Sequence, residues 1–175
     1  CTNPCAEVPL EDGGACNLGS INLSRFVTDG FTPEASIDWD QLAESTETLV
    51  RFLDNVVTWN EDLNALEKQR VAASETRRLG LGVMGIADML NQLGVAYDSE
   101  QGTIMIEKVM EYITNASYQA SSFIAKEKSP SPIFNEKSYM ECPFIKEALS
   151  EQTHSMIRKN GLRNIAIMSI APTGS

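Results

Sequence analysis

Asn3, Cys5 and Glu7 occupy alternate positions of Asn3-Pro4-Cys5-Ala6-Glu7, close to the start of the 175-residue chain. In an extended backbone, side chains two residues apart share a face. The spacing therefore predicts an amide, a thiol and a carboxylate side by side. Cys16 follows eleven residues after Cys5, in Ala15-Cys16-Asn17-Leu18-Gly19-Ser20-Ile21-Asn22-Leu23. Three of the four cysteines thus fall in the first 16 residues, the fourth being Cys142. A disulfide scaffold would spread its cysteines along a shorter chain, so this clustering points to thiol chemistry or to a bound metal. The same pattern also fits a loop that holds a buried cysteine. His154 is the one histidine, which excludes a histidine-based metal site and a conventional Ser–His or Cys–His triad.

Composition narrows the field further. The chain is 42% hydrophobic and 22% charged, the balance of a soluble globular domain able to bury a core. Fourteen Lys and Arg against 24 Asp and Glu give a net charge of -10. That balance argues against partners that need clustered positive charge, whether nucleic acid or an anionic membrane surface. No apolar run approaches the roughly 20 residues of a membrane span. The polar N-terminus is not that of a signal peptide, and a cytoplasmic location is expected. The first residue is Cys1 rather than Met, so a piece of a longer protein is expected.

The elements that must position these residues can be read from periodicity. Residues 1–24 are short apolar pieces between Pro, Gly and Asn, predicting loop, turn and short strand. A helix is predicted from Asp38 or Asp40 to about Asn60, with Leu42, Leu49, Leu53, Val56 and Val57 as its buried stripe. Residues 61–78 read as polar, with Arg70, Arg77 and Arg78. Leu79–Gly85 reads as a short buried strand or tight turn feeding a helix, Ile86 to Leu93, stopped by Gly94. Asp98-Ser99 caps the longest helix, roughly 99–127, with a stripe from Ile106 through Val109, Ile113 and Ala120 to Phe123 and Ile124. Ser129-Pro130-Ser131-Pro132 breaks it. A short helix is predicted over 143–158, a turn at Asn160-Gly161 and a buried strand over 164–170. The mixture is α/β, rich in helix and poor in strands.

Gly80, Gly82 and Gly85 fit a G-x-G-x-x-G dinucleotide fingerprint. The polar Ser74–Arg78 stretch before them is not the buried strand that such a site requires, and close backbone packing is the better reading. Arg77 and Arg78 are expected in salt bridges rather than on phosphate, His154 on a helix surface, Cys142 as a semi-buried thiol, and Met105, Met110 and Met156 in or near the core.

Asn3-Pro4-Cys5-Ala6-Glu7-Val8-Pro9-Leu10 followed by Cys16–Leu23 closely resembles the active-site segment of the ribonucleotide reductase large subunit. Arg77–Asp88 resembles that family's glycine-rich barrel segment. Gly161-Leu162-Arg163-Asn164 and Ala171-Pro172-Thr173-Gly174-Ser175 resemble the strand and phosphate loop late in its catalytic barrel. These motifs occur in family order from one end of the chain to the other. The Asn-Pro-Cys form, the short Cys5–Cys16 spacing and Ala-Pro-Thr-Gly-Ser resemble the adenosylcobalamin-dependent class more than the diiron class. Cys1 departs from the small non-thiol residue usual there; a plain substitution and a splice junction are the two explanations, and the chain ends are accordingly intein junctions or arbitrary truncations.

The resemblance implies a partial slice of a ten-stranded α/β barrel, with residues 1–175 forming part of the catalytic barrel domain. It implies radical reduction of ribonucleotides to 2′-deoxyribonucleotides for DNA synthesis. Cys5 would carry a thiyl radical that takes the ribose 3′-hydrogen, Glu7 would be the base for the 3′-hydroxyl, and Asn3 would hold the sugar hydroxyls. Cys16 would be one of two thiols that supply electrons and end as a disulfide. Ala171, Pro172, Thr173, Gly174 and Ser175 would hold substrate phosphate at a helix N-terminus. Adenosylcobalamin is the implied cofactor of the complete enzyme, a diiron–tyrosyl radical small subunit the alternative, and this chain alone is expected to bind neither and to be inactive. Implied partners are a ribonucleoside di- or triphosphate, a thioredoxin- or glutaredoxin-type dithiol and a second copy in a homodimer. Two other classes compete: a zinc-binding module using the N-terminal cysteines, whose Cys-x3-Cys-x10-Cys spacing is poor for zinc, and a structural helical module.

Overall fold

The protein was analysed as a computed structural model that describes residues 1–172. Strand β1 (Asn17–Asn22) leads through a single 3-10 turn into a small antiparallel ribbon of β2 (Val27–Thr28) and β3 (Ser36–Ile37). Two helices, α1 (Trp39–Leu63) and α2 (Glu67–Thr76), then carry the chain back to β4 (Leu79–Met84), which pairs with β1 in parallel. Helices α3 (Ile86–Gln92) and α4 (Glu100–Lys128) follow, and three short helices, α5 (Glu136–Met140), α6 (Pro143–Ala148) and α7 (Glu151–Asn160), complete the set. The result is a helix-rich α/β arrangement with two two-stranded sheets and no closed barrel among the described residues.

The helix starts follow their caps. The Asp38 side chain accepts from the Gln41 N–H at 2.9 Å, and Ser99 from the Gly102 N–H at 3.0 Å, each satisfying a donor left open by the first turn. Gly85 and Gly94 bracket α3 in the left-handed region, as its punctuation requires. Leu42, Val50, Leu53 and Val57 of α1 meet Leu79, Leu81 and Val83 of β4 and Ile113 and Ile124 of α4 in one continuous core.

Several expectations need correction. Helix α2 lies in the polar 61–78 stretch, to which periodicity assigns no element; it lacks a strong apolar stripe, and its helix-forming residues Glu67-Lys68-Gln69-Arg70 are the signal that periodicity misses. The single helix expected over 143–158 is two, divided at Leu149 and Ser150, because the Ser150 hydroxyl caps a new helix by accepting from Thr153 N–H at 3.3 Å. Phe123 is exposed rather than in the stripe of α4. His154 is buried on the inner side of α7, with Nε2 2.8 Å from the Ile145 carbonyl oxygen. Cys142 lies exposed at the start of α6. The strand expected over 164–170 is a third, irregular segment beside β4, with one parallel bridge from Leu81 to Met168. Leu79 and Leu81 N–H donate to the consecutive carbonyls of Ala166 and Ile167, both at 2.8 Å, which breaks the alternation of a regular ladder.

A buried charge cluster joins these parts. Asp54 of α1 is fully buried and Arg77, between α2 and β4, is 2% exposed. Arg77 Nε donates to Asp54 Oδ1 at 2.9 Å, Nη2 to the Asp54 carbonyl at 2.9 Å, and Nη1 to Glu61 Oε1 at 2.7 Å. Asn164 Nδ2 donates to Asp54 Oδ1 at 3.1 Å and to the Arg77 carbonyl at 2.9 Å, while Ser121 of α4 donates to Asn164 Oδ1 at 2.8 Å. Removing one partner of such a pair strands the other charge in the core. Arg77→Met is therefore expected to lower unfolding free energy by about 3–5 kcal/mol, seen as a fall in the urea midpoint. A loss under about 1 kcal/mol would show that Asp54 is compensated without Arg77.

Candidate active site

Residues 3–7 are not extended. They form a closed turn between the bridged residues Thr2 and Pro9. Asn3 N–H donates to the Val8 carbonyl at 3.2 Å, Val8 N–H to Asn3 Oδ1 at 3.1 Å, and Ala6 N–H to the Asn3 carbonyl at 3.0 Å. Turn chemistry overrides the alternation: Pro4 presets φ, Asn3 accepts from a backbone N–H further on, and Ala6 adopts a left-handed φ of 63°. The expected single face of Asn3, Cys5 and Glu7 is thus replaced by a turn. The Asn3 side-chain oxygen is occupied in that turn, and Cys5 is exposed. Glu7 is half-buried, and both of its carboxylate oxygens are shielded without a hydrogen-bond partner among the described residues.

Cys16 is half-buried directly before β1. Burial is the main force on its thiol and pushes it up to about 11; Arg78 pulls in the opposite direction, while the charges of Glu7 and Glu11 add to the rise. The charges of Glu7, Glu11 and Arg78 thus all act on this one sulfur. Arg78 donates from Nη2 to Glu11 Oε2 at 2.9 Å. Neither Glu11 nor the proximity of Arg78 to Cys16 was foreseen from the sequence. The only local sign was the pair of arginines at 77 and 78, and the two prove unlike: one locks the core, the other borders Cys16.

The glycines of Leu79–Gly85 shape this face. Pairing of Asn17 with Leu79 and of Leu18 with Gly80 sets the register of β1 on β4. Ile21, Leu79, Leu81 and Val83 are buried in the core, while Leu18 and Met84, in the alternate positions, are exposed. A Cβ built at Gly80 would stand 2.8 Å from Cys16 Sγ and 2.3 Å from Leu18 Cδ2; one at Gly82 would stand 2.4 Å from the Ser169 carbonyl oxygen. The glycine run therefore serves close packing, in keeping with the expectation against a dinucleotide site. Ala171 and Pro172 follow the third segment without regular structure, and Thr173, Gly174 and Ser175 lie outside the described residues. Among the described residues no group of three or more His, Cys, Asp or Glu side chains could hold a metal ion, which weighs against the zinc module.

Comparison with known proteins agrees with the family resemblance. A family model described as ribonucleotide reductase, barrel domain, matches residues 1–175. A vitamin B12-dependent ribonucleoside-diphosphate reductase of Mycobacterium tuberculosis (strain ATCC 25618 / H37Rv) is 37% identical over 174 residues, 99% of this chain and 21% of the relative. A protein of the same name from Thermoplasma acidophilum is 38% identical over 174 residues, 99% of this chain and 20% of its own length. A ribonucleoside-diphosphate reductase subunit alpha of Chlamydia muridarum is 30% identical over 200 aligned residues, covering 100% of this chain and 18% of the relative. The chain thus spans about a fifth of the length of these relatives.

The two glycines should differ in what they tolerate. At Gly82 the obstacle is backbone, and Gly82→Ala is expected to destabilise by about 1–3 kcal/mol. At Gly80 the nearest obstacle is the end of the half-exposed Leu18 side chain, which can rotate, so Gly80→Ala should cost less. Urea unfolding of both variants compares them, and equal losses would contradict this account.

Proposed function

The chain belongs to the ribonucleotide reductase barrel-domain family, and from that premise we propose that it contributes radical, thiol-dependent reduction of ribonucleoside diphosphates to 2′-deoxyribonucleotides, as part of a ten-stranded catalytic barrel. The B12-dependent names of the relatives at 37% and 38% identity favour the adenosylcobalamin class. The observation that carries the reading is Glu7, a shielded carboxylate with no hydrogen-bond partner among the described residues, whose charge acts on the half-buried Cys16 thiol. A carboxylate left unpartnered away from water is costly, and a substrate hydroxyl is a partner that would satisfy it.

The ribose carbons are unactivated, so loss of the 2′-hydroxyl needs a radical. Cys5 takes the thiyl role by its place in the Asn3–Glu7 motif and by its accessible sulfur. With its radical source bound, the complete enzyme would generate a thiyl at Cys5 by loss of the thiol hydrogen atom. The thiyl takes the 3′-hydrogen, giving Cys5 S–H and a carbon radical at C3′. Glu7 accepts the 3′-hydroxyl proton as the 2′-hydroxyl, protonated by a thiol, leaves as water. Cys16 and a second thiol then supply two electrons and become a disulfide, the remaining thiol hydrogen passing to C2′ and the proton held by Glu7 returning to the 3′-oxygen. Return of the hydrogen from Cys5 to C3′ regenerates the thiyl. The balance is one ribonucleotide and two thiols in, one deoxyribonucleotide, one disulfide and one water out. Asn3 orients the sugar hydroxyls, and residues 171–175 hold phosphate. A dithiol protein of thioredoxin type restores the thiols, the complete enzyme is a cytoplasmic homodimer, and no nucleic acid or membrane takes part.

Adenosylcobalamin is the proposed cofactor of the complete enzyme, in keeping with the B12-dependent names of these relatives. None of the described helices is long and apolar enough to cross a membrane.

Three substitutions in the full-length subunit with its radical source separate the roles. Cys5→Ser should abolish turnover with nucleotide binding nearly intact, because an alkoxyl radical is far harder to form. Cys16→Ser should let the radical form without delivery of electrons, so that substrate decomposes and free base is released. Glu7→Gln should slow the chemical step by about 100-fold or more. More than trace activity in Cys5→Ser, or normal turnover of Cys16→Ser with a dithiol reductant, would refute the roles. The 175 residues alone should form no deoxyribonucleotide.

A further inference from the structure

Cys16 and Arg78 head adjacent strands. β1 and β4 run parallel, their pairing beginning with Asn17 opposite Leu79, and Cys16 and Arg78 are the residues immediately before that first pair. Opposed residues of paired strands project to the same face. Gly80, two residues beyond Arg78, shares that face, and the 2.8 Å gap between its would-be Cβ and Cys16 Sγ shows how closely the sulfur lies against β4. A side chain at Gly80 would displace the sulfur from this berth.

The charges around the sulfur come from three separate segments: Glu7 from the N-terminal turn, Glu11 from the stretch after it, and Arg78 from the start of β4. Arg78 reaches Glu11 with Nη2 alone; its Nε is shielded and has no partner among the described residues, and Glu11 Oε1 is in the same state. Burial pushes the Glu11 carboxyl up, but hydrogen bonds from its own backbone and from Arg78, with the charge of Arg78, hold it below the usual carboxylate range. The ion pair thus stays charged, half-buried and incompletely satisfied beside one thiol.

We propose that the Arg78–Glu11 ion pair is a positioning device for Cys16, holding a fixed cation beside the sulfur and so setting how readily Cys16 enters and leaves a disulfide. The proposal rests on the redox role of Cys16 given above. In the restoring step, a thiolate of an external dithiol attacks the sulfur bonded to Cys16. The S–S bond breaks, and Cys16 departs with the bonding pair as a thiolate and takes up a proton. The second thiol of the reductant then closes its own disulfide and frees the partner cysteine. The reductant loses two electrons and the protein disulfide gains two. A departing thiolate leaves faster the better its charge is stabilised, and Arg78 is the cation placed to stabilise it. Glu11 restrains that effect, because it neutralises the guanidinium and adds a negative charge of its own.

The two partners therefore act in opposite directions on one atom, and removing each should move the reactivity of Cys16 the opposite way. The test is the rate of iodoacetamide labelling of Cys16, read by peptide mass analysis in the full-length protein between pH 7.5 and 10. Arg78→Met should slow labelling at pH 8 by about tenfold, because Glu11 is left unpaired beside the thiol. Arg78→Lys should stay within about threefold of the parent, and Glu11→Gln should label faster. Unfolding would expose Cys16 and accelerate labelling in every variant, so slowing in Arg78→Met cannot come from misfolding. Labelling that shifts the same way in Arg78→Met and Glu11→Gln, or in neither, overturns the proposal. Normal turnover of Cys16→Ser would remove the redox role while leaving the labelling pattern in place, so the two readings fail separately.

Discussion

Asp54 is a carboxylate with no exposure to water, and a lone ionised group in that position would be strongly unfavourable. Its Oδ1 accepts hydrogen bonds that replace the solvent, while Oδ2 is buried with no hydrogen-bond partner among the described residues. Arg77 provides a charged fork, Asn164 an amide donor, and Arg163 and Lys128 flank it at 3.5 and 3.6 Å. These groups come from α1, from the junction of α2 and β4, from α4 and from the segment after α7. None can shift without unsatisfying another, so the position of β4 is fixed relative to α1. The face that carries Cys16 is built on β4, and its geometry depends on this cluster. Arg77 reaches Asp54 from a left-handed backbone conformation, φ 47°, a strained setting that persists only because the surrounding bonds over-determine it.

The small parallel sheet divides its labour by face. The side packed on α1 is ordinary aliphatic core. The other side is stripped of bulk at Gly80 and Gly82, and this lets Cys16 and the 165–169 segment come close to β4. Polar and ionisable groups then gather at the end where both strands begin: Glu7 and Glu11 from the N-terminal stretch, Cys16 and Arg78 from the strand starts. The beginning of β1 and the beginning of β4 are thus both structural edge and chemical rim.

The long elements were legible because their signals are local. α1 and α4 announce themselves by apolar spacing and by Asp38 and Ser99 at their starts, and the glycine run of β4 reads correctly as packing. What was missed depends on distant partners. The turn at residues 3–7 closes through the Asn3 side chain, so an alternating pattern that looks extended is overridden by a polar side chain bonding to nearby backbone. His154 looks like a surface residue until α6 supplies a carbonyl for it. The neighbourhood of Cys16 was half legible: the motif singled out Glu7 and Cys16, whereas Glu11 and Arg78 become neighbours only through a strand register that no short window contains.

That register has a kinetic side. The contact between Glu11 and Arg78 spans 67 residues, and that between Asp54 and Asn164 spans 110. Neither can form until α1 and α2 have brought the chain back and β4 has been laid beside β1. Closure of such separations costs chain entropy before any contact repays it, and parallel pairing across a crossover forms late for that reason. α1 and α4 rest on local contacts and can organise early; the surroundings of Cys16 cannot. During synthesis its sulfur therefore lacks Arg78 until β4 has been made and laid beside β1, and up to that point it is open to mispairing with any passing thiol.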